Sequence, residues 1–198
     1  YTGLIEHATK TDYSAFGIAR DNAEVVKGNA GSPYAIKDYY DIDPDLAVNV
    51  PERMKEFEQL VDRTHRAGLK MIMDFVPNHV ARQYHSDSKP AGVKDLGETD
   101  NTGLAFSAQN NFYYIPKESL HLDNIIGNKA SYIETPARVS GNDVFNAWPS
   151  INDWYETIKL NYGIDYQNGR STHFSPIPEK KKKMTEILLF WAGKGVDG

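Results

Sequence analysis

The sequence predicts an α/β fold in which a buried parallel sheet is covered by helices. Three observations carry this expectation. An amphipathic stretch, Pro51 to Ala67, runs directly into a short apolar segment, Leu69 to Met73. A second amphipathic stretch, Pro176 to Gly193, leads in the same way into Val196-Asp197-Gly198. Between them, Asp74, Asn78 and His79 follow the apolar segment within six positions, with Pro77 stiffening the turn. Polar side chains at the exit of a parallel strand sit at the mouth of an α/β sheet or barrel, where such folds place their chemistry.

The elements follow in order. Residues 1–48 are loop-rich, with Gly28, Gly31 and Pro33 leading into Tyr34, and Asp41 to Pro44 forming an acidic turn. The first helix has Asn49 and Val50 at its start, Pro51 in its first turn and Glu52 where the helix dipole favours an anion. Met54, Phe57, Leu60, Val61 and Thr64 repeat at helical spacing and make one apolar face. Arg63 and Arg66 occupy the last turn, and Gly68 can take a left-handed cap. The strand expected over 69–74 is short and mostly apolar, as for a strand buried on both faces. Residues 80–174 show no sustained period. A stretch this long is improbable as a simple loop and reads as a small inserted subdomain. In the second helix Ser175 is the expected N-cap, Met184, Ile187, Leu188 and Trp191 form the expected buried stripe, and Lys180 to Lys183 reads as a solvated face.

Composition narrows the function. The chain has 198 residues, enough for a sizeable core, and a net charge of −5 that argues against a nucleic-acid or anionic-membrane partner. The absence of cysteine excludes disulfides and thiolate metal sites. No apolar run reaches the length of a membrane span, and the N-terminus does not read as a signal peptide. Both ends read as cuts in a longer chain.

Weaker signals have ordinary explanations. His79 and His85 fit no usual zinc spacing. Glu118, His121 and Asp123 read as surface residues of the insertion. Tyr113, Tyr114, Trp148 and Trp154 suit sugar platforms and a small core equally well.

Asp74-Phe75-Val76-Pro77-Asn78-His79 closely resembles the first signature region, D-x-V-x-N-H, of the alpha-amylase family of glycoside hydrolases (family 13). Upstream, Tyr34 to Pro44 is similar to that family's G-Y-D-V-x-D-Y-x-x-I-D-P. Downstream, Leu160-Asn161 resembles the end of its Q-P-D-L-N motif, and Gly195 to Gly198 the residues opening its second signature, G-F-R-x-D. The matches lie in family order along the chain.

The resemblance implies a partial (β/α)8 barrel, from the end of strand two to the start of strand four. Residues 1–79 and 175–198 would be barrel segments and residues 80–174 an irregular B subdomain inserted after strand three. It implies retaining cleavage of α-glucosidic bonds in starch or maltooligosaccharides. Tyr34 matches the aromatic that stacks on the sugar at the cleavage point, and His79 the histidine that hydrogen-bonds its hydroxyl. Asp74 matches a supporting carboxylate, Asn78 a residue that helps hold a structural calcium ion, and Asn161 the closing amide of the subdomain motif. Lys159 stands where that motif often has aspartate, and a lysine cannot ligate calcium. The pair Ser32-Pro33 precedes Tyr34 where glycine is common. The resemblance places the nucleophile just after Gly198, so the chain alone is expected to be inactive. Two further readings share the scaffold: a transglycosidase or isomerase of the trehalose synthase or branching enzyme type, and a family member with a binding or structural role.

Overall fold

The computed structural model describes residues 1–127, 130–176 and 178–198. Helix α1 spans Arg53–Arg66, entered through a 3-10 turn, Val50–Glu52, that carries Pro51. Phe57 and Val61 are buried, and Met54 and Leu60 pack partly against the same core. Arg63, His65 and Arg66 occupy the last turn, and Gly68 at φ +74 takes the left-handed conformation that ends the helix. These features follow the sequence expectation.

The segment after α1 is extended but forms no regular ladder. The Tyr1 amino group donates to the Ile72 carbonyl at 2.9 Å, and the Asp74 N–H donates to the Tyr1 carbonyl at 2.8 Å. Met73 is thus flanked as in a parallel pair. Along the same segment, the Asp197 N–H donates to the Met71 carbonyl and the Met73 N–H to the Gly198 carbonyl, both at 2.8 Å. Over residues 70–74 burial alternates: Met71 and Met73 are buried while Lys70, Ile72 and Asp74 are exposed. The expectation of burial on both faces is therefore corrected, because alternate side chains here point to opposite sides and only one side is covered.

The assigned strands form three two-stranded antiparallel pairs among the described residues, not the expected parallel sheet. Strand β1 (His79–Ala81) pairs with β4 (Thr157–Lys159), β2 (Tyr114–Ile115) with β3 (Ala137–Arg138), and β5 (Ile164–Asp165) with β6 (Ser171–Thr172). A short helix α2 covers Asp123–Ile126.

Helix α3 spans Glu179–Gly193, three residues shorter at its start than expected, and Ile177 lies outside the described residues. Pro178, not Ser175, holds the N-cap position, without a side-chain cap. Met184, Ile187 and Trp191 are buried, but Leu188 is exposed. The lysine run is also corrected: Lys180 and Lys183 are buried. Helical spacing puts them on the same face as Met184, Ile187 and Trp191, where their apolar stems pack. The Lys180 ammonium lies 5.5 Å from the centre of the Tyr39 ring, and Lys183 Nζ donates to the Asp95 carbonyl at 2.8 Å.

The main core joins both helices to the loops. Phe57 meets Trp191 edge-on at 5.5 Å, and Trp191 Nε1 donates to the Tyr39 carbonyl at 2.8 Å. Val80, Phe112, Ile158 and Leu160 belong to the same core. A smaller core gathers Val25, Leu120, Leu122, Ala137, Ala147 and Tyr155.

Arg82, just past β1, is fully buried against Glu134 at 2.7 Å. Burial opposes ionisation of Glu134, but the Arg82 and Arg138 guanidiniums outweigh it and hold its pKa down at about 2. Arg82→Ala should leave that carboxylate buried beside one cation instead of two and cost about 3–5 kcal/mol in denaturant unfolding. Because the folded pKa of Glu134 is depressed, its contribution is present above the ordinary value of 4.5 and is lost as pH falls toward 2. Unfolding measured across that window should show a shallower loss in Glu134→Gln than in the parent.

Candidate functional site

The two residues singled out for sugar contact, 45 positions apart in the chain, line one cleft. A pocket of about 230 Å³ is bounded by Ser32, Tyr34, His79, Trp154, Glu156 and Thr157. Tyr34 follows the Ser32-Pro33 turn, in which the Tyr34 N–H donates to Ser32 Oγ at 3.3 Å. Its side chain is about half exposed, so its ring is accessible to a ligand. His79 opens β1, opposite Lys159 in the β1–β4 register, which brings the 154–157 segment across from it.

The His79 ring is buried and fixed. Asn78 Nδ2 donates to Nδ1 at 3.0 Å, which leaves the proton on the other ring nitrogen. The centre of the His79 ring lies 5.1 Å from that of the Trp154 ring, with the two planes tilted by 54°. Burial lowers its pKa below the usual 6.5, the nearby Tyr34 backbone opposes this, and the Lys159 charge adds to it. The imidazole is therefore neutral at pH 7, a hydrogen-bonding group and not a cation. Gly141 lies directly behind it: a Cβ there would sit 2.4 Å from Thr157 Oγ1 and 2.9 Å from His79 Cβ. Glu156 faces the pocket with Lys27 Nζ at 3.1 Å.

The other expected site residues are placed differently. The Asp74 side chain is exposed and does not line this pocket. Asn78 bonds His79 and, at 3.2 Å, the Gly141 carbonyl, so it orients the histidine. Asn161 is fully buried; it donates to the Ser107 and Asn110 carbonyls at 2.8 and 3.0 Å and accepts from the Gly163 N–H at 2.9 Å. It is a loop-bracing residue. Tyr113 and Tyr114 are buried, whereas Trp148 and Trp154 are partly exposed. Sequence reasoning weighed Trp154 only as one of several aromatics and missed Ser32, Gly141, Glu156 and Thr157. The signal available for the last two was their nearness to Trp154 in one short stretch.

A family model described as alpha amylase, catalytic domain, matches residues 25–198. The chain belongs to the alpha-amylase family. Members similar to it include Maltase A1 of Drosophila melanogaster, 26% identical over 165 residues, covering 83% of this chain and 24% of that protein. The oligo-1,6-glucosidase of Heyndrickxia coagulans is 27% identical over 166 residues, again 83% of this chain and 24% of the relative. The amino acid transporter heavy chain SLC3A1 of Mus musculus is 27% identical over 165 residues, 83% of this chain and 20% of the relative. The chain thus spans about a fifth to a quarter of the length of these relatives. An alpha-amylase crystal structure from Lactobacillus plantarum aligns over 98% of this chain and 27% of its own, with 23% identity and a TM-score of 0.48. Family membership gives the chain an α/β amylase-type fold.

The calcium ion implied at Asn78 does not fit the residues around it. The Asn78 amide nitrogen points at His79 and Gly141, the Asn161 oxygen is taken by Gly163, and the Lys159 ammonium is ion-paired with Asp143 beside the Tyr166 ring. A cation-binding shell needs convergent oxygens, and among the described residues no cluster of three carboxylate or histidine ligands surrounds Asn78.

Two measurements check this site. The His79 ring should titrate below 6.5 by NMR. Since its folded pKa is depressed, its effect on stability is a loss as pH falls below the unfolded value. Gly141→Ala should push His79 off its position, visible as a shift of its ring resonances, with roughly 1–3 kcal/mol lost to overpacking.

Proposed function

We propose that this chain forms the sugar-binding wall of an enzyme that cleaves α-glucosidic bonds of starch or maltooligosaccharides with retention. The observation that carries the reading is the convergence of Tyr34 and His79 on one pocket. A pyranose face presents C–H groups to an aromatic ring, so the half-exposed Tyr34 can stack on it. A neutral imidazole whose Nδ1 accepts from Asn78 can donate its other ring N–H to a sugar hydroxyl. Trp154 closes the pocket beside the histidine. In this reading the extended segment 69–74 is the third strand of a (β/α)8 barrel, residues 80–174 are its B subdomain, and Asp74 supports the site from outside the pocket.

Bond cleavage with retention needs two carboxyl groups roughly 5–5.5 Å apart across the scissile bond. Among the described residues lining the pocket, Glu156 is the sole carboxylate, and Lys27 neutralises it. The chain by itself would bind sugar without cleaving it. A second reading, a family member with a binding or structural role, draws support from the transporter heavy chain, which is as similar to this chain as the oligo-1,6-glucosidase is.

Calorimetric titration with a maltooligosaccharide should show weak binding by this chain. Tyr34→Ala and His79→Ala should each weaken it by about 2- to 12-fold, the loss of one ring stack or one hydrogen bond. A reducing-sugar assay on the same chain should show no hydrolysis. Affinity unchanged in both variants would remove the basis for the reading.

A further inference from the structure

The strongest unexplained feature lies away from this pocket. Glu6, Asp38 and Asp41 are all essentially inaccessible to solvent, and an oxygen from each lies within 4.8 Å of the others. The backbone holds them together. The Glu6 N–H donates to the Asp41 carbonyl at 3.0 Å, and the Lys37 and Asp38 N–H groups donate to the Glu6 carbonyl at 2.9 and 3.3 Å.

Two of the three carboxylates are already oriented. Asp38 accepts from the Tyr40 N–H at 2.8 Å and the Ser88 N–H at 3.1 Å. Asp41 accepts from the Ile42 N–H at 2.8 Å, Arg53 Nε at 3.0 Å and Ser88 Oγ at 2.5 Å. Glu6 differs: its Oε2 is buried with no hydrogen-bond partner. Buried polar atoms without partners are rare in folded proteins, and each one needs a physical reason.

The charges do not balance either. Arg53 neutralises Asp41. Lys37 Nζ sits 3.2 Å from Asp21 and 3.7 Å from Glu6, so its charge goes first to Asp21. Four buried carboxylates, Glu6, Asp21, Asp38 and Asp41, then face two cations, Lys37 and Arg53, which leaves a deficit that a divalent cation would fill.

We propose that Glu6, Asp38 and Asp41 bind a hard divalent cation, calcium or magnesium, in the interior of the fold. All-oxygen, carboxylate-rich donors select such ions over softer ones. The hydrogen bonds that Asp38 and Asp41 receive from Tyr40, Ile42, Arg53 and Ser88 orient these ligands from outside the metal, as outer-shell partners do in metal sites. The Glu6 oxygen without a partner is the ligand the ion would satisfy. The site shares no residue with the sugar pocket and does not include Asn78.

The test uses this 198-residue chain, stripped with chelator and then equilibrated with calcium chloride or magnesium chloride. Its melting temperature should rise with cation concentration and saturate, and calorimetry should give a single site. Terbium, a calcium stand-in, should luminesce on tyrosine excitation, because Tyr39 and Tyr40 lie between two of the ligands in the chain, and calcium should quench that emission. Glu6→Gln should weaken binding at least tenfold while Asn78→Ala leaves it unchanged; if Glu6→Gln does not fold, Asp38→Asn takes its place. A parent melting temperature that ignores both cations, or a response that matches sodium chloride at equal ionic strength, would overturn the proposal. So would a response that survives Glu6→Gln or disappears in Asn78→Ala.

Discussion

The Arg82 guanidinium sits at zero exposure and makes five hydrogen bonds, to the Tyr155, Arg138 and Thr157 carbonyls, Glu134 Oε1 and Ser140 Oγ. Each carbonyl it serves belongs to a loop or a strand of two or three residues, too short to satisfy its own backbone. Without the guanidinium these oxygens would be buried and unpaired, which a folded protein does not tolerate cheaply. The geometry has a direct consequence for the pocket. Arg82 follows β1, and the carbonyls of Tyr155 and Thr157 flank Glu156, so the same side chain that closes the interior also holds Trp154, Glu156 and Thr157 opposite His79. Glu134 completes this arrangement by bonding both Arg82 and Arg138, which in turn returns a bond to the Arg82 carbonyl. An irregular segment with little sheet of its own is held by charge where longer ladders would otherwise do the work.

The helices were legible because their information is local. The apolar spacing of Met54, Phe57, Leu60 and Val61 and the glycine at 68 suffice to define α1 without reference to the rest of the chain. The strands were not, since ladders as short as two residues leave no period to read and some partners lie as far as 24 (Tyr114 with Arg138) or 80 (His79 with Lys159) positions away. The lysine run shows a further limit. Charge suggests solvent, yet a lysine has four methylenes and a flexible tip, and Lys183 reaches a backbone carbonyl while its stem is covered. Position on the helix, set by Met184, Ile187 and Trp191, outweighed residue type.

At the site, residue chemistry was legible and placement was not. Tyr34 and His79 were identifiable as a stacking ring and a hydrogen-bonding ring, and the fold puts them together. Asp74 opens the same motif that His79 closes but is exposed. Asn78 was legible as polar, but its role in orienting the histidine depends on Gly141 coming close from 63 residues away. Glycine makes that approach possible because a Cβ would collide with His79 and Thr157. No local pattern announces such a contact.

The sugar wall and the buried acids meet in one stretch of chain. Residues 35 to 43 carry Asp38 and Asp41, and Tyr34 sits immediately before them. This stretch is tied to residues 5–7 by the Ile5–Ile42 and His7–Ile36 bridges and to β1 by the bond from the Ala81 N–H to the Ile36 carbonyl at 2.7 Å. Stacking affinity depends on how little a ring must be ordered when ligand arrives. The position of Tyr34 is therefore governed less by its own contacts, which are few, than by how firmly the following nine residues are anchored. The buried carboxylates are the part of that anchor whose charge is least balanced. Burial raises the pKa of Glu6 to about 9, chiefly because no solvent stabilises its charge, with Asp38 and Asp41 adding to the rise and Lys37 and Arg53 opposing it. Whatever balances Glu6, a proton or a cation, bears on the loop that presents the stacking ring.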